Sequence, residues 1–213
     1  MDIVQELKNL LEKRKKWKFQ NINSNSYFAS TDSVLGYLNK LCSEKEGWAL
    51  MSNVILVDPK EVYSRAEDCT NEFDLLPSDT KMAIIVANGA TSLGKEAHQN
   101  IFILDVSKKH LIRCEPMGYI DEDEDLYHMD KFSRILGKLN KYLIRYAYHY
   151  DINDLPGCRV TSLMLALMYL NNISFSLLNK IDNYGEITLK ISDILISRNY
   201  TYREKRKRRN AYI

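Results

Sequence analysis

A strand–turn–strand pattern within Ala97–Asp121 limits what this chain can fold into more than any other stretch. The apolar run Asn100–Val106 predicts one strand, Ser107-Lys108-Lys109 predicts the turn, and His110–Cys114 predicts the returning strand. The pattern therefore predicts a β-hairpin around which the rest of the chain is organised.

Two polar residues lie at the open end of this predicted hairpin. His98 lies at the entrance to the first strand, and Glu115 follows the second strand. The start of one strand lies beside the end of the other in an antiparallel hairpin. The sequence therefore predicts an imidazole next to a carboxylate, which is the pairing that orients a general base and fixes its tautomer.

Cys158 is the candidate for a third member of this group. It follows Pro156-Gly157 and begins an apolar run that predicts a core helix over Cys158–Leu170. The unpaired N–H groups and partial positive charge of a helix N-terminus stabilise a thiolate and can hold an oxyanion. The residue types alone leave plainer alternatives open: a small buried hydrophobe at Cys158, a loop histidine at His98 and a solvated strand end at Glu115.

The rest of the chain alternates helical and strand-like patterns. An amphipathic pattern predicts a helix over residues 2–17, and Thr31-Asp32-Ser33 has the character of a second helix start. The remaining predicted elements are strands over Trp48–Val57 and Lys81–Ala87, helices over Lys60–Ala66 and Lys131–Tyr148, and two segments, Phe175–Ile181 and Ile187–Ile196, that fit either helix or strand.

A glycine-rich connector between two predicted strands has the spacing of a phosphate-binding loop. Gly89–Lys95 matches G-x-x-x-x-G-K, but the next position holds Glu96 where the motif requires Ser or Thr for magnesium. A carboxylate there repels phosphate, and a strand follows where the motif would begin a helix. The pattern favours a glycine-hinged loop over a nucleotide site.

Length and composition predict one domain at residues 1–202 with a basic tail at 203–213. The net charge of +2 does not by itself indicate a nucleic-acid partner. The basic run Arg203–Arg209 is typical of a disordered arm, and binding to nucleic acid or another polyanion is the alternative.

The four cysteines form no C-x-x-C pair and have no histidine at metal-ligand spacing, so neither a structural zinc nor a cofactor is predicted. The acidic N-terminus does not fit a signal peptide, and no apolar run has the length of a membrane span. We therefore expect a reducing, intracellular setting with free thiols.

The segment from His98 through Glu115-Pro116-Met117-Gly118-Tyr119 to Asp121 resembles the active-site segment of the adenovirus-type cysteine proteases (adenain), which belong to a clan with the SUMO-protease-like and YopJ-like enzymes. The histidine precedes the acid by 17 residues, as in that family, and Cys158 follows Glu115 by 43 residues. The resemblance covers residues Met82–Leu170.

The resemblance implies an α+β, papain-like or adenain-like fold with a mixed central sheet packed against helices. It implies that Cys158 is the nucleophile, His98 the base and Glu115 the residue that orients His98. It further implies a viral maturation protease, in the virion or the host cytoplasm, that cleaves capsid or core precursor proteins and contacts DNA through Arg203–Arg209.

The chain departs from that family at four points. Arg159 follows the nucleophile in place of Gly, Gln99 follows the histidine in place of Trp, and no Gln precedes Cys158, which leaves Asn153 as the candidate amide donor to the oxyanion. No cysteine lies between Glu115 and Cys158 to form a disulfide bond with an activating peptide. Three alternatives remain: an isopeptidase of the deubiquitinase or deSUMOylase kind, an acetyltransferase of the same clan, and an inactive relative that is structural or binds nucleic acid.

Overall fold

The computed structural model describes residues 2–12, 29–56, 76–90, 97–116, 143–146, 157–180, 184–198 and 200. Within these ranges the secondary-structure elements are, in chain order, α1 (Ile3–Glu12), α2 (Thr31–Ser43), β1 (Trp48–Leu56), β2 (Met82–Ala90), β3 (Ala97–Asp105), β4 (His110–Cys114), β5 (Leu143–Tyr146), α3 (Cys158–Leu170), a 3₁₀ helix (Phe175–Lys180) and α4 (Tyr184–Ser197). No helix in these ranges is long and apolar enough to cross a membrane.

The strands form one mixed sheet in the order β1-β2-β3-β4-β5. β1 and β2 are parallel, β2, β3 and β4 are successively antiparallel, and β4 and β5 are parallel. The predicted α+β class with a mixed central sheet is confirmed.

The predicted hairpin is present, and its first strand is longer than predicted. β3 begins at Ala97 rather than Asn100, so His98 lies inside the strand, while β4 has the predicted bounds. The first part of β3 is paired with β2, which continues to Ala90, and Gly89 lies opposite His98. The predicted connector therefore begins later than expected, because its first residues provide the backbone partners that the start of β3 needs.

The predicted helix Lys131–Tyr148 is wrong where the structure describes it. Leu143–Tyr146 is the strand β5, which pairs with β4 from His110 to Arg113. This pairing provides hydrogen-bond partners for the backbone groups of β4 that do not face β3. The stabilisation comes from residues far apart in the chain, so helical periodicity within the segment does not reveal it. The rest of that prediction, and the predicted helix Lys60–Ala66, lie outside the described residues.

The helix predictions are otherwise confirmed in the described ranges. α1 occupies the first part of the predicted helix at residues 2–17, whose end lies outside the described residues. α2 begins at the predicted Thr31, where the Ser30 side chain accepts a hydrogen bond from the Ser33 N–H. The two segments left open between helix and strand form the 3₁₀ helix and α4.

Helix α3 lies in the centre of the core and has the bounds that the sequence predicts. Its residues from Val160 to Met168 are all buried, and they share a core with β-strand residues such as Ile101 and Ile112. Its N-cap is Gly157, which has no side chain to accept a hydrogen bond from the first N–H groups of the helix. Each fully buried leucine stabilises a fold by about 1.5–3 kcal/mol, against about 1 kcal/mol for a cap. Burial therefore determines where α3 forms.

Candidate active site

One end of the sheet brings together the start of β3 and the end of β4. The last paired residues of this ribbon are Ile101 and Cys114, and Glu115 follows directly. His98 lies three residues before Ile101, on the same end of the sheet. The ribbon geometry thus places the backbone of His98 and Glu115 at the same end of the sheet. The side chain of His98 lies outside what the structure describes.

Two hydrogen bonds fix the direction of α3 along this ribbon. Near its start, the Ser162 hydroxyl donates to the Gln99 carbonyl at 2.8 Å. Near its end, the Tyr169 hydroxyl donates to Asp105 Oδ2 at 3.4 Å. α3 therefore runs in the same direction as β3. Cys158 lies one turn before Ser162, or about 6 Å along the axis, so the helix begins at the end of the sheet where β3 begins.

Cys158 differs in its surroundings from the other two cysteines that the structure describes. It is partly exposed, whereas Cys42 and Cys114 are buried. Burial raises the pKa of the Cys42 thiol to about 12. Burial, together with the negative charge of Glu115, raises the pKa of the Cys114 thiol well above its ordinary value. A small buried hydrophobe is therefore the wrong description of Cys158.

Glu115 is buried and holds a charged partner. Its side chain is only 1% exposed, and Arg113 Nη2 lies 3.1 Å from Glu115 Oε2. Arg113 is itself fully buried, and its Nε donates to Asn100 Oδ1 at 3.2 Å. A solvated strand end is thus excluded for Glu115, because both charges of the pair are removed from water.

The sequence predictions missed Arg113 and Asn100. Residues two apart on a strand share a face, so Arg113 and Glu115 are neighbours by spacing alone. An arginine inside the otherwise apolar stretch Leu111–Cys114 was the available signal that a buried anion lies nearby.

Gln99, which directly follows His98 on β3, is buried and contacts both α2 and α3. Its backbone carbonyl accepts from Ser162 of α3, and its Oε1 accepts from the Thr31 hydroxyl at the start of α2 at 3.3 Å. Among the described residues its Nε2 has no hydrogen-bond partner. Gln99 thus connects the N-terminal ends of two helices to the first part of β3.

The structure places the candidate residues as follows. Glu115, Cys158 and the backbone of His98 lie at one end of the sheet, and Arg159 is partly exposed beside Cys158. Asn153 lies outside the described residues, as does the basic tail. The catalytic roles of His98, Glu115, Cys158 and Asn153 remain predictions.

Solved structures share this arrangement of sheet and helices. ChlaDub1 from Chlamydia trachomatis is similar at a TM-score of 0.53 and 10% identity, over 84% of this chain and 94% of that chain. The Chlamydia trachomatis effector protein Cdu1, bound to ubiquitin, is similar at a TM-score of 0.50 and 11% identity, over 81% and 92%. The SUMO protease Ulp1, with its catalytic cysteine oxidised to a sulfenic acid, is similar at a TM-score of 0.50 and 7% identity, over 91% of each chain.

This chain has the fold of the Ulp1-like cysteine proteases. The sequence itself matches no protein-family model, and no curated protein matches it significantly. The fold that the resemblance implies is confirmed, and the narrower adenovirus-type assignment remains a prediction. Identities of about a tenth establish the fold alone.

Proposed function

We propose that this protein is a cysteine protease with Cys158 as nucleophile, His98 as general base and Glu115 as the residue that orients His98. The observation that carries the proposal is the direction of α3 along β3. The Ser162–Gln99 hydrogen bond puts the start of the helix, with its partly exposed Cys158, at the end of the sheet that also holds Glu115 and the backbone of His98.

The proposed chemistry follows from these positions. His98 accepts the proton of the Cys158 thiol, and the thiolate attacks the scissile carbonyl to form a tetrahedral oxyanion. Backbone N–H groups at the start of α3, where Gly157 provides no side-chain cap, stabilise that oxyanion, and we assign Asn153 as a second donor. The carbon–nitrogen bond breaks as His98 gives its proton to the leaving amine. His98 then takes a proton from a water molecule, whose oxygen attacks the thioester; the carbon–sulfur bond breaks, the carboxylic acid product leaves, and His98 gives the proton to the Cys158 sulfur.

Two protein substrate classes are proposed. Cleavage of viral capsid or core precursors during virion maturation rests on the resemblance of the His98–Asp121 segment to adenain, and it places the enzyme in the virion or the host cytoplasm. Isopeptide cleavage on a ubiquitin-like protein is supported by two proteins of the same fold, one bound to ubiquitin and one named a SUMO protease.

The first experiment compares the cysteines with an electrophilic thiol probe at neutral pH. We expect Cys158 to be labelled much faster than Cys42 and Cys114, because a thiolate at a helix start reacts and a buried thiol does not. Cys158→Ala removes the fast phase, and His98→Ala slows it in the otherwise intact chain. Equal labelling of all cysteines, or a fast phase that His98→Ala leaves unchanged, would contradict the protease proposal.

The second experiment separates the substrate classes. Ubiquitin and SUMO that carry a C-terminal vinyl sulfone form a covalent adduct with Cys158 if the chain is an isopeptidase. Selective labelling by the small probe without either adduct supports a protease for other substrates. Deletion of residues 203–209 tests the DNA contact, since a phosphate-binding tail gives a salt-sensitive affinity that its removal abolishes.

A further inference from the structure

We propose that Arg113 is a positioning residue for Glu115, an inference that rests on the proposed function. Arg113 Nη2 donates to Glu115 Oε2 at 3.1 Å, so the guanidinium contacts the carboxylate that the proposed function assigns to the orientation of His98. Neither the sequence resemblance nor the similar folds assign a role to Arg113.

Charge is the first reason for this role. A carboxylate taken out of water is strongly destabilised unless a counter-charge is present, and otherwise takes up a proton. Arg113 is permanently charged and fully buried, so it keeps Glu115 in its ionised form. Only the ionised form offers the imidazolium of His98 a negative partner when Cys158 is a thiolate.

Geometry is the second reason. Among the described residues, Arg113 contacts Glu115, which directly follows its strand, and Asn100 across the ribbon. Asn100 lies two residues after His98 on β3. The guanidinium therefore fixes the carboxylate relative to the strand that carries the proposed base, and a planar fork with several donors is the group suited to such a link.

Among the described residues, Arg113 and Cys114 are a charged and a titratable neighbour of Glu115. Arg113 contacts the carboxylate, and the neighbouring Cys114 thiol is close enough for Glu115 to raise its pKa further, after burial. Cys114 remains a neutral thiol at neutral pH and contributes no competing charge. Among the described residues, Arg113 is thus the cation at ion-pair distance from Glu115.

The test measures the rate at which iodoacetamide alkylates Cys158 over a pH series. We expect Arg113→Met to slow alkylation at neutral pH by about 10–100-fold, the loss seen when the partners that orient the ligands of a metal site are removed. The alkaline limit of the thiolate–imidazolium state should also move to lower pH, because protonated Glu115 no longer stabilises the imidazolium. Glu115→Gln should show the same shift, and the double variant should be no slower than Glu115→Gln alone.

Two further variants separate charge from geometry and guard against a misfolded Arg113→Met. Arg113→Lys keeps the positive charge but loses the two-point hold, so the rate should fall while the alkaline limit stays near that of the wild type. Asn100→Leu removes the hold on Nε and leaves both charges, and should give a smaller fall with the same limit.

Lys190→Met is the matched control. Lys190 Nζ lies 3.6 Å from Oε1 of the buried Glu6, so this change also removes a cation from a buried carboxylate, but among the helices α1 and α4. It should alter unfolding without altering the alkylation profile. If Arg113→Met behaves in the same way, or if its effect adds fully to that of Glu115→Gln, the positioning role is wrong.

The outcome also distinguishes this inference from the proposed function. If His98→Ala and Glu115→Gln leave the alkylation of Cys158 unchanged, the protease proposal itself fails. If both slow it while Arg113→Met keeps the wild-type rate and pH profile, only the role of Arg113 is overturned.

Discussion

Two buried carboxylates lie at opposite ends of the ribbon formed by β3 and β4, and they are stabilised in different ways. Asp105 is at the turn and Glu115 at the open end. Both are almost completely removed from water. The contrast between their partners distinguishes a carboxylate that closes a turn from one that the proposed reaction uses.

Asp105 is satisfied mainly by its own turn. Its Oδ1 accepts hydrogen bonds from the Ser107 hydroxyl at 2.7 Å and the Lys108 N–H at 3.1 Å, while Oδ2 accepts from Tyr169 and lies 3.1 Å from the largely exposed Lys108 ammonium. Burial raises the pKa of Asp105, but these hydrogen bonds outweigh burial, so the pKa lies below its ordinary value. The carboxylate is explained by the hairpin that it closes.

Glu115 instead faces a fully buried guanidinium. Removing both charges from water offsets most of their attraction, so a buried ion pair is a weak source of stability. Stability alone therefore gives little reason for this pair. Its location, at the end of the sheet where α3 begins with Cys158, fits a role in orienting a base.

The largest expected difference between the two carboxylates is in the reactivity of Cys158. Glu115→Gln should slow alkylation of Cys158 at neutral pH by roughly 100-fold or more, because an oriented base contributes about 10²–10⁴ to such reactions. Asp105→Asn should leave the rate unchanged, since Asp105 contacts Tyr169 at the C-terminal end of α3 and Cys158 begins the helix. Equal effects of the two substitutions would show that Glu115 and Asp105 do not differ in their influence on Cys158.

The free energy of unfolding should depend more on Asp105 than on Glu115. Asp105→Asn should lower the free energy of unfolding by about 1.5–3 kcal/mol, the range for hydrogen bonds to a charged group. Urea unfolding followed by circular dichroism measures this loss. Ser107→Ala, which removes one of the donors to Asp105, is the control and should cost less.

The stabilisation that Asp105 contributes should decrease as the pH is lowered. Because its pKa is lowered on folding, its contribution is fully present above the ordinary value of 3.8 and is lost as the pH falls through the folded pKa. Unfolding measured over an acidic pH series should thus show wild type and Asp105→Asn converging at low pH. A constant difference between them at all pH values would count against an ionised Asp105.

The smallest expected effects concern the two hydrogen bonds that align α3 with β3. Ser162→Ala leaves the buried Gln99 carbonyl without its hydroxyl donor and should cost about 1–2 kcal/mol. Tyr169→Phe removes a longer, partly exposed bond and should cost about 0.5 kcal/mol. Only Ser162→Ala should also slow alkylation of Cys158, since it loosens the end of the helix that holds the thiol. Thermal unfolding and the alkylation rate together check this pair.

Local patterns predicted those elements whose stabilising contacts are visible along the chain. The continuous apolar run after Cys158 gave the bounds of α3, and the turn residues gave β4. The same reasoning failed at Leu143–Tyr146, where pairing with β4 overrides helical spacing. It also failed at the start of β3, whose first residues are strand because β2 continues alongside them.

The candidate site shows the same division. The types of His98, Glu115 and Cys158, their order and the spacing of the first two were evident in the sequence, as was the expectation of a helix start at the cysteine. The burial of Glu115 and its pairing with Arg113 were not, because burial depends on what packs over a strand and not on the strand itself.

The sequence by itself determined the hairpin, the core helix and the presence of a cysteine at the start of that helix, since periodicity and turn chemistry act over a few residues. Only the tertiary structure decided the order of the strands, the direction of α3 along β3 and the charge partner of Glu115. Those features depend on contacts between residues far apart in the chain, where hydrogen bonds and burial are decided by the packing of whole elements.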